Sequence, residues 1–228
     1  MDAKEVAARA ALAYVQDGMK LGLGTGSTAA HFLRLLGERV RNERLQVVGV
    51  PTSDRSREMA LEAGIPLCDL ADVGALDLGV DGADETDPDL NVIKGGGGAL
   101  VREKLVASAC KEFIIVCDSS KIKTQLGAFP VPVAILPFAW QTTQRRLETL
   151  GNKAVLRMTE SGTPYVTDDG LYILDIHFGQ IANAPETACR MKAMVGVVEV
   201  GLFIGMATKV IAGYEDGHVQ EYNRKATV

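Results

Sequence analysis

Five stretches of the chain carry side chains able to do chemistry. In Gly22-Leu23-Gly24-Thr25-Gly26-Ser27-Thr28, glycines let the backbone approach an anion closely, and the Thr and Ser hydroxyls add donors. A helix opening at Ser27 or Thr28 would aim its first N–H groups at the same anion. The run is neither a complete GxGxxG nor a GxxxxGK[ST] phosphate loop, and a plain tight turn has the same look. Asp81-Gly82-Ala83-Asp84-Glu85 puts three carboxylates directly after an apolar run, where open α/β sheets hold their ligands. Such a group suits proton transfer or Mg²⁺, with a solvated acidic turn as the inert alternative. Lys94-Gly95-Gly96-Gly97-Gly98 costs chain entropy to order, so it reads as a backbone nest around a ligand with Lys94 at its entrance. Glu103, one to two turns into a helix starting near Gly98, can point back toward the strand ends because helical side chains tilt N-terminally. A surface pairing with Arg102 or Lys104 is the other reading of Glu103. Lys121, in Asp118-Ser119-Ser120-Lys121, follows another strand end, and Lys4 is a cation able to reach the glycine turn.

Taken as one site, these groups suit proton movement on a small phosphorylated polyol. A carboxylate takes a proton from the carbon next to a carbonyl and returns it to the neighbouring carbon. A lysine ammonium stabilises the oxyanion of the enediolate between the two steps. Other chemistries find no support. There is no GxSxG, and the three histidines (His31, His177, His218) lie far apart with no ligand-like spacing. The four cysteines (Cys68, Cys110, Cys117, Cys189) form no CxxC and read as thiols in a reducing compartment.

The elements that must position these residues alternate between helix and strand. Residues 3–16 are helical in spacing, Met19 to Gly26 is a short apolar run ending in glycines, and a helix runs from Ser27 to about Val40. A β-rich run at Gln46–Val50 and a helix at Ser53–Ala63, closed by Gly64, follow. Leu76–Val80 and Phe113–Cys117 resemble buried parallel strands, with a helix at Ala99–Cys110 between them. The pattern changes near Phe129. VPVAILP, punctuated by Pro130, Pro132 and Pro137, predicts an edge strand and crossing point. A helix at Gln141–Leu150, a strand at Ala154–Thr159, a hairpin around Asp168-Asp169-Gly170 and a helix at about Pro185–Met194 follow. Two last β-rich runs could rejoin the first sheet. The expected architecture is α/β: a Rossmann-like, mostly parallel sheet from residues 1–128 plus 202–228, with a smaller α+β domain at 129–201.

Composition narrows the partners. The chain has 228 residues, 47% of them hydrophobic, enough for a substantial core. Its 29 acidic against 24 basic residues give a net charge of −5, the wrong sign for a non-specific nucleic-acid binder. No apolar run approaches the roughly 18 residues of a membrane span. The N-terminus mixes charges with alanines and lacks a signal peptide's apolar stretch, so a cytoplasmic location is expected.

In this order and spacing, GLGTGSTAAHF, the SDRS stretch, VDGADE, KGGGGALVREK and CDSSK resemble the type A ribose-5-phosphate isomerase family. VTDDGLYILDIHF and GVVEVGLF in the second half agree, so the likeness covers nearly the whole chain. It implies interconversion of D-ribose 5-phosphate and D-ribulose 5-phosphate in the pentose phosphate pathway, without a metal or organic cofactor. It further implies that Glu103 is the general base, that Lys94 stabilises the enediolate oxygen, and that Asp81 assists opening of the furanose ring. Gly82, Ala83 and Asp84 would hold sugar hydroxyls, Gly95, Gly96 and Gly97 would give backbone contacts, and Lys121 would bind substrate. Thr25, Gly26, Ser27 and Thr28 would hold substrate as well, with Ser27, Thr28 and Lys4 on the phosphate. A ferredoxin-like inserted domain and a homodimer or homotetramer complete what the resemblance implies. The four glycines before Ala99, where many members have three and a small residue, and the tail after Tyr214 depart from the family pattern.

Two other functions compete. A sugar-phosphate sensor domain would need a DNA-binding module, for which about twenty residues before the glycine turn are too few. A CoA-transferase-like enzyme would pass through a covalent glutamate adduct, which isomerisation does not form.

Overall fold

Short apolar strands alternate with helices through the first half of the chain, and a parallel sheet with helices on both faces is how such strands bury both sides. The computed structural model describes residues 1–150 and 152–224. It opens with α1 (Ala3–Ala11), β1 (Lys20–Leu23), α2 (Ser27–Glu43), β2 (Val48–Pro51), α3 (Asp54–Glu62), α4 (Leu70–Val73) and β3 (Leu76–Asp81). Two short strands, β4 (Glu85–Thr86) and β5 (Val92–Ile93), precede α5 (Leu100–Ala109) and the long β6 (Cys110–Asp118). Then come β7 (Val131–Ile135), α6 (Trp140–Glu148), β8 (Lys153–Leu156), β9 (Tyr172–His177), α7 (Ala184–Lys192) and β10 (Val197–Val200). The chain closes with β11 (Leu202–Phe203), β12 (Lys209–Gly213) and β13 (Val219–Asn223).

The large sheet runs β13-β12-β6-β3-β1-β2, parallel throughout except for β13, which pairs antiparallel with β12. Strand order reverses between β1 and β3, so the loops leaving these neighbours diverge and open a crevice at their C-terminal ends. Leu23 lies opposite Val80 in the ladder, so Gly24–Thr28 and Asp81–Asp84 leave the sheet side by side. One face is covered by α1 and α2, whose Ala7, Ala8, Ala11, Phe32 and Leu36 pack on Leu21, Leu78, Ile114 and Val116. On the other face α5 sits close because β1 presents Gly22 to it: a Cβ there would stand 2.7 Å from Val106 Cγ1. This close seat brings the first turn of α5 to the crevice.

Between β6 and β12 the chain builds a second, four-stranded antiparallel sheet ordered β10-β7-β9-β8, with α6 and α7 and an apolar core to which Ile93, Leu126 and Leu202 also contribute. Within this unit the strands stand fourth, first, third, second, the ferredoxin-like arrangement. A small sheet, β11-β5-β4, joins it to the large one.

Three sequence expectations need correction here. VPVAI is a central strand and not an edge: β7 is buried along its length, with β10 on one side and β9 on the other. Pro132 is tolerated because its carbonyl side faces Gly201, just beyond the end of β10, where no ladder donor is required. The Pro132 ring fits there because residue 201 has no side chain; a Cβ would come within 2.8 Å of Pro132 Cδ. The turn around Asp168-Asp169-Gly170 is present, closed by Thr167 and Leu171, yet the run before it is not a strand and β9 pairs instead with β7 and β8. Glu103 lies in the first turn of α5, since the helix begins at Leu100 and not near Gly98. The tail after Tyr214 supplies the edge strand β13, and its last residues, 225–228, lie outside the described residues. Among the described residues, no helix is long and apolar enough to cross a membrane.

Candidate active site

The glycine turn delivers α2 to the crevice with its N-terminus bare. Gly26, at φ 111°, stands at the cap position and offers no side chain, so the leading N–H groups of α2 keep their capacity for an anion. Ser27 and Thr28 place hydroxyls at the same point, and Lys4 of α1 reaches it, donating from Nζ to Ser27 Oγ at 3.0 Å. Thr25 is fixed from behind: its hydroxyl lies 2.8 Å from that of Thr52 and donates to Ser53 Oγ at 2.8 Å. Thr52 and Ser53, just past the end of β2, received no site role from the sequence, although Ser53 opens the SDRS stretch; their position beside the reversal point was the available signal.

Three ionisable groups meet below this turn, all nearly inaccessible to water. Lys94 Nζ lies 2.9 Å from Asp81 Oδ2 and 3.0 Å from Glu103 Oε1, and donates to the Gly82 carbonyl at 2.7 Å. Lys94 is placed by the small sheet, its N–H donating to Gly201 O at 2.9 Å. Asp81 Oδ1 accepts the N–H groups of Thr25 at 3.0 Å and Gly82 at 2.7 Å. Glu103 has a single donor, Lys94, and its Oε2 has no hydrogen-bond partner among the described residues.

Burial pushes the Glu103 carboxyl up to about 7, against the pull of the Lys94 ammonium and with help from the Asp81 and Asp84 charges. Burial also raises Asp81, held back by Lys94 and the two backbone N–H groups. For Lys94, burial alone would favour loss of the proton, but the two carboxylates outweigh it and hold the ammonium above its ordinary range. With one cation between two buried carboxylates, Glu103 is the one that borders the cavity and has no donor other than Lys94.

Every sequence-predicted site residue but one lines a single cavity of about 120 Å³: Lys4, Thr25, Gly26, Ser27, Thr28, Gly82, Ala83, Asp84, Lys94, Gly95, Gly96, Gly97, Glu103 and Lys121. The exception is Asp81. It sits behind Lys94, buried, with its Oδ1 held by the N–H groups of Thr25 and Gly82. Asp84 Oδ2 accepts the Gly96 N–H at 2.8 Å, tying the acidic loop to the glycine loop. Lys121 closes the far wall from a single 3-10 turn, Ser119–Lys121.

The carboxylate triplet does not converge on a cation. Asp81 turns to Lys94, whereas Glu85 turns away and accepts the N–H groups of Gly127 at 2.8 Å and Phe129 at 2.7 Å. Among the described residues no set of three His, Cys, Asp or Glu side chains is arranged to hold a metal. A roomier groove of about 480 Å³ lies beside α1, lined by Met1, Val6 and Ala10 among others, but no buried charged groups converge there. Burial pushes the thiols of Cys110 and Cys117 up to about 12, which leaves them unreactive.

Gly24 is the tightest point of the site. A Cβ there would overlap the Asp81 carboxyl and stand 2.5 Å from Asp81 Cα. Gly24→Ala is therefore expected to shift Asp81 and, through it, Lys94, lowering turnover by about 10²-fold and stability by about 1–3 kcal/mol. Steady-state kinetics and thermal melting check this; wild-type values for both would show that the loop yields without moving the triad.

The family model for ribose 5-phosphate isomerase A (phosphoriboisomerase A) matches residues 48–217. A ribose-5-phosphate isomerase A of Synechococcus sp. is 54% identical over 215 residues, 93% of this chain and 94% of its own. The solved structure of ribose 5-phosphate isomerase A from Methanocaldococcus jannaschii superposes with a TM-score of 0.93 at 40% identity, covering 97% of this chain and 98% of that one. A D-ribose-5-phosphate isomerase solved in complex with phospho-erythronic acid gives a TM-score of 0.94 at 39% identity, covering 98% of each chain.

Proposed function

The chain belongs to the ribose-5-phosphate isomerase A family and isomerises ribose 5-phosphate; on that premise we propose which of its side chains carry the reaction. The product is D-ribulose 5-phosphate, and the proton moves between C2 and C1 of the open-chain sugar through an enediolate. Glu103 is the base. The observation that carries this assignment is its buried carboxyl, with Oε1 held by Lys94 and Oε2 unpaired. A general base works best when its pKa lies near the working pH, which for Glu103 is about 7.

Lys94 supplies the positive charge that the enediolate oxygen needs, so this step requires no metal ion from outside. Asp81 is a positioning residue that holds the ammonium from behind. The bare N-terminus of α2, Ser27, Thr28 and Lys4 take the phosphate. Asp84, Gly82 and Ala83 on one wall, and Lys121 on the other, meet the sugar hydroxyls. Phospho-erythronic acid, the ligand of the solved relative, carries a carboxylate and a phosphate, the two kinds of anionic group that these residues would meet.

The cytoplasmic setting, the pentose phosphate pathway and homo-oligomerisation as a dimer or tetramer belong to the same reading. The free state of all four thiols supports the first. Exposed Leu136, Phe138 and Val195 at one end of the four-stranded sheet support the last.

Conversion of D-ribose 5-phosphate by the purified chain tests the reading. A folded chain that binds the sugar and leaves it unchanged would be a sensor instead. Lys4→Ala isolates the phosphate assignment: KM should rise about tenfold with kcat nearly constant, the pattern of lost uniform binding. An unchanged KM would remove Lys4 from the phosphate site.

A further inference from the structure

The glycine loop that floors the cavity is held in shape from the inserted unit. Arg157, just past β8, donates through Nη1 to the carbonyls of Gly95 at 2.9 Å and Gly96 at 3.0 Å. Its other edge is gripped by Asp175 of β9, with Nε donating to Oδ2 at 2.9 Å and Nη2 to Oδ1. A planar guanidinium held along one edge presents the remaining N–H groups in a fixed direction. Tyr165 flanks the arrangement, its ring 6.0 Å from the Arg157 guanidinium carbon and its hydroxyl 3.4 Å from Gly97 O.

The effect on the cavity follows from peptide geometry. In a trans peptide the C=O and the following N–H point opposite ways. Turning the Gly95 carbonyl toward Arg157 turns the Gly96 N–H toward the cavity, where it meets Asp84. Turning the Gly96 carbonyl the same way turns the Gly97 N–H toward the cavity, and that N–H has no acceptor among the described residues. Glycines resist such ordering more than any other residue; the Gly95 carbonyl also accepts the Gly98 N–H at 3.0 Å, whereas among the described residues the Gly96 carbonyl is held by Arg157 alone.

We propose that Arg157, clamped by Asp175, is a positioning residue that sets the Gly95–Gly97 peptide planes so that the Gly97 N–H donates to a substrate oxygen. The inserted unit thereby takes part in substrate binding without lining the cavity. This rests on the isomerase reading above.

The test compares wild type with Arg157→Ala, Arg157→Lys and Asp175→Asn, each measured per folded molecule. Readouts are kcat/KM for ribose 5-phosphate, the dissociation constant of phospho-erythronic acid, and the melting temperature. Arg157→Ala should lower kcat/KM about tenfold and weaken the inhibitor to a similar extent, the scale on which supporting side chains act. Arg157→Lys should recover part of both, because an ammonium reaches one carbonyl but cannot hold two edges. It also carries the test if the alanine variant does not fold. Variants with wild-type kinetics and inhibitor affinity overturn the proposal, and so does a lowered melting temperature with both constants unchanged. Wild-type protein that fails to turn over would instead overturn the isomerase reading, a separate outcome.

Discussion

Glu103→Gln is expected to leave a folded protein that binds ribose 5-phosphate and isomerises it about 10²–10⁴-fold more slowly, the range that loss of a general base produces. Gln matches Glu in shape and still accepts from Lys94 through its carbonyl oxygen, but it cannot take a proton. The loss should therefore fall on kcat, with KM close to wild type. The same residue sets the pH dependence. Only ionised Glu103 is a base, so kcat/KM should fall as pH drops through about 7, and the residual activity of the Gln variant should lack that limb. Stability gives an independent check. The Glu103 carboxyl is raised in the folded state, so its favourable contribution is complete below the ordinary carboxylate value and is lost as pH rises through about 7. Relative to wild type, the Gln variant should gain stability between roughly pH 5 and 8. Wild-type turnover by Glu103→Gln would remove it from the base role.

Lys94→Met is expected to be the more damaging change, because it removes the enediolate's counter-charge and leaves Asp81 and Glu103 buried without theirs. Loss of an oxyanion donor alone costs about 10²–10³ in kcat. Breaking a buried ion pair from one side costs about 3–5 kcal/mol. The two effects separate in the double variant Asp81→Asn, Lys94→Met, where one orphaned carboxylate is neutralised. Its melting temperature should recover in part while kcat stays about 10²–10³-fold below wild type. Recovery of both together would make Lys94 a structural residue, since no ammonium would remain to stabilise the intermediate.

Much of this site was legible because its pieces are local. Gly22–Thr28, Asp81–Asp84 and Lys94–Gly98 each state their chemistry in a few consecutive residues after a strand, and the strand-order reversal then brings them together. Relations across the chain were not legible. Nothing in the spacing says that Asp81 faces Lys94 and not the cavity, because that depends on two backbone N–H groups drawing its carboxylate inward. The same holds for β7: three prolines in a short apolar run argue for an edge, and only the meeting with Gly201 lets Pro132 sit inside a sheet. Arg157 carries no motif, and its contact with the glycine loop spans about sixty residues of sequence; Asp175 lies within VTDDGLYILDIHF, yet nothing in that run says that it grips Arg157. Thr52 and Ser53 received no role because their hydroxyls meet Thr25 only across the β1–β2 pair, a relation that the spacing does not carry.

Proton transfer by Glu103 through an enediolate held by Lys94, without a metal ion, has a direct solution test: turnover of ribose 5-phosphate in deuterated buffer containing EDTA, followed by NMR of the ribulose 5-phosphate formed. Sustained turnover with solvent deuterium bound at C1, and loss of both in Glu103→Gln, is the expected result. A folded protein that turns over only when a divalent cation is returned, or equally fast with Gln at position 103, would contradict it.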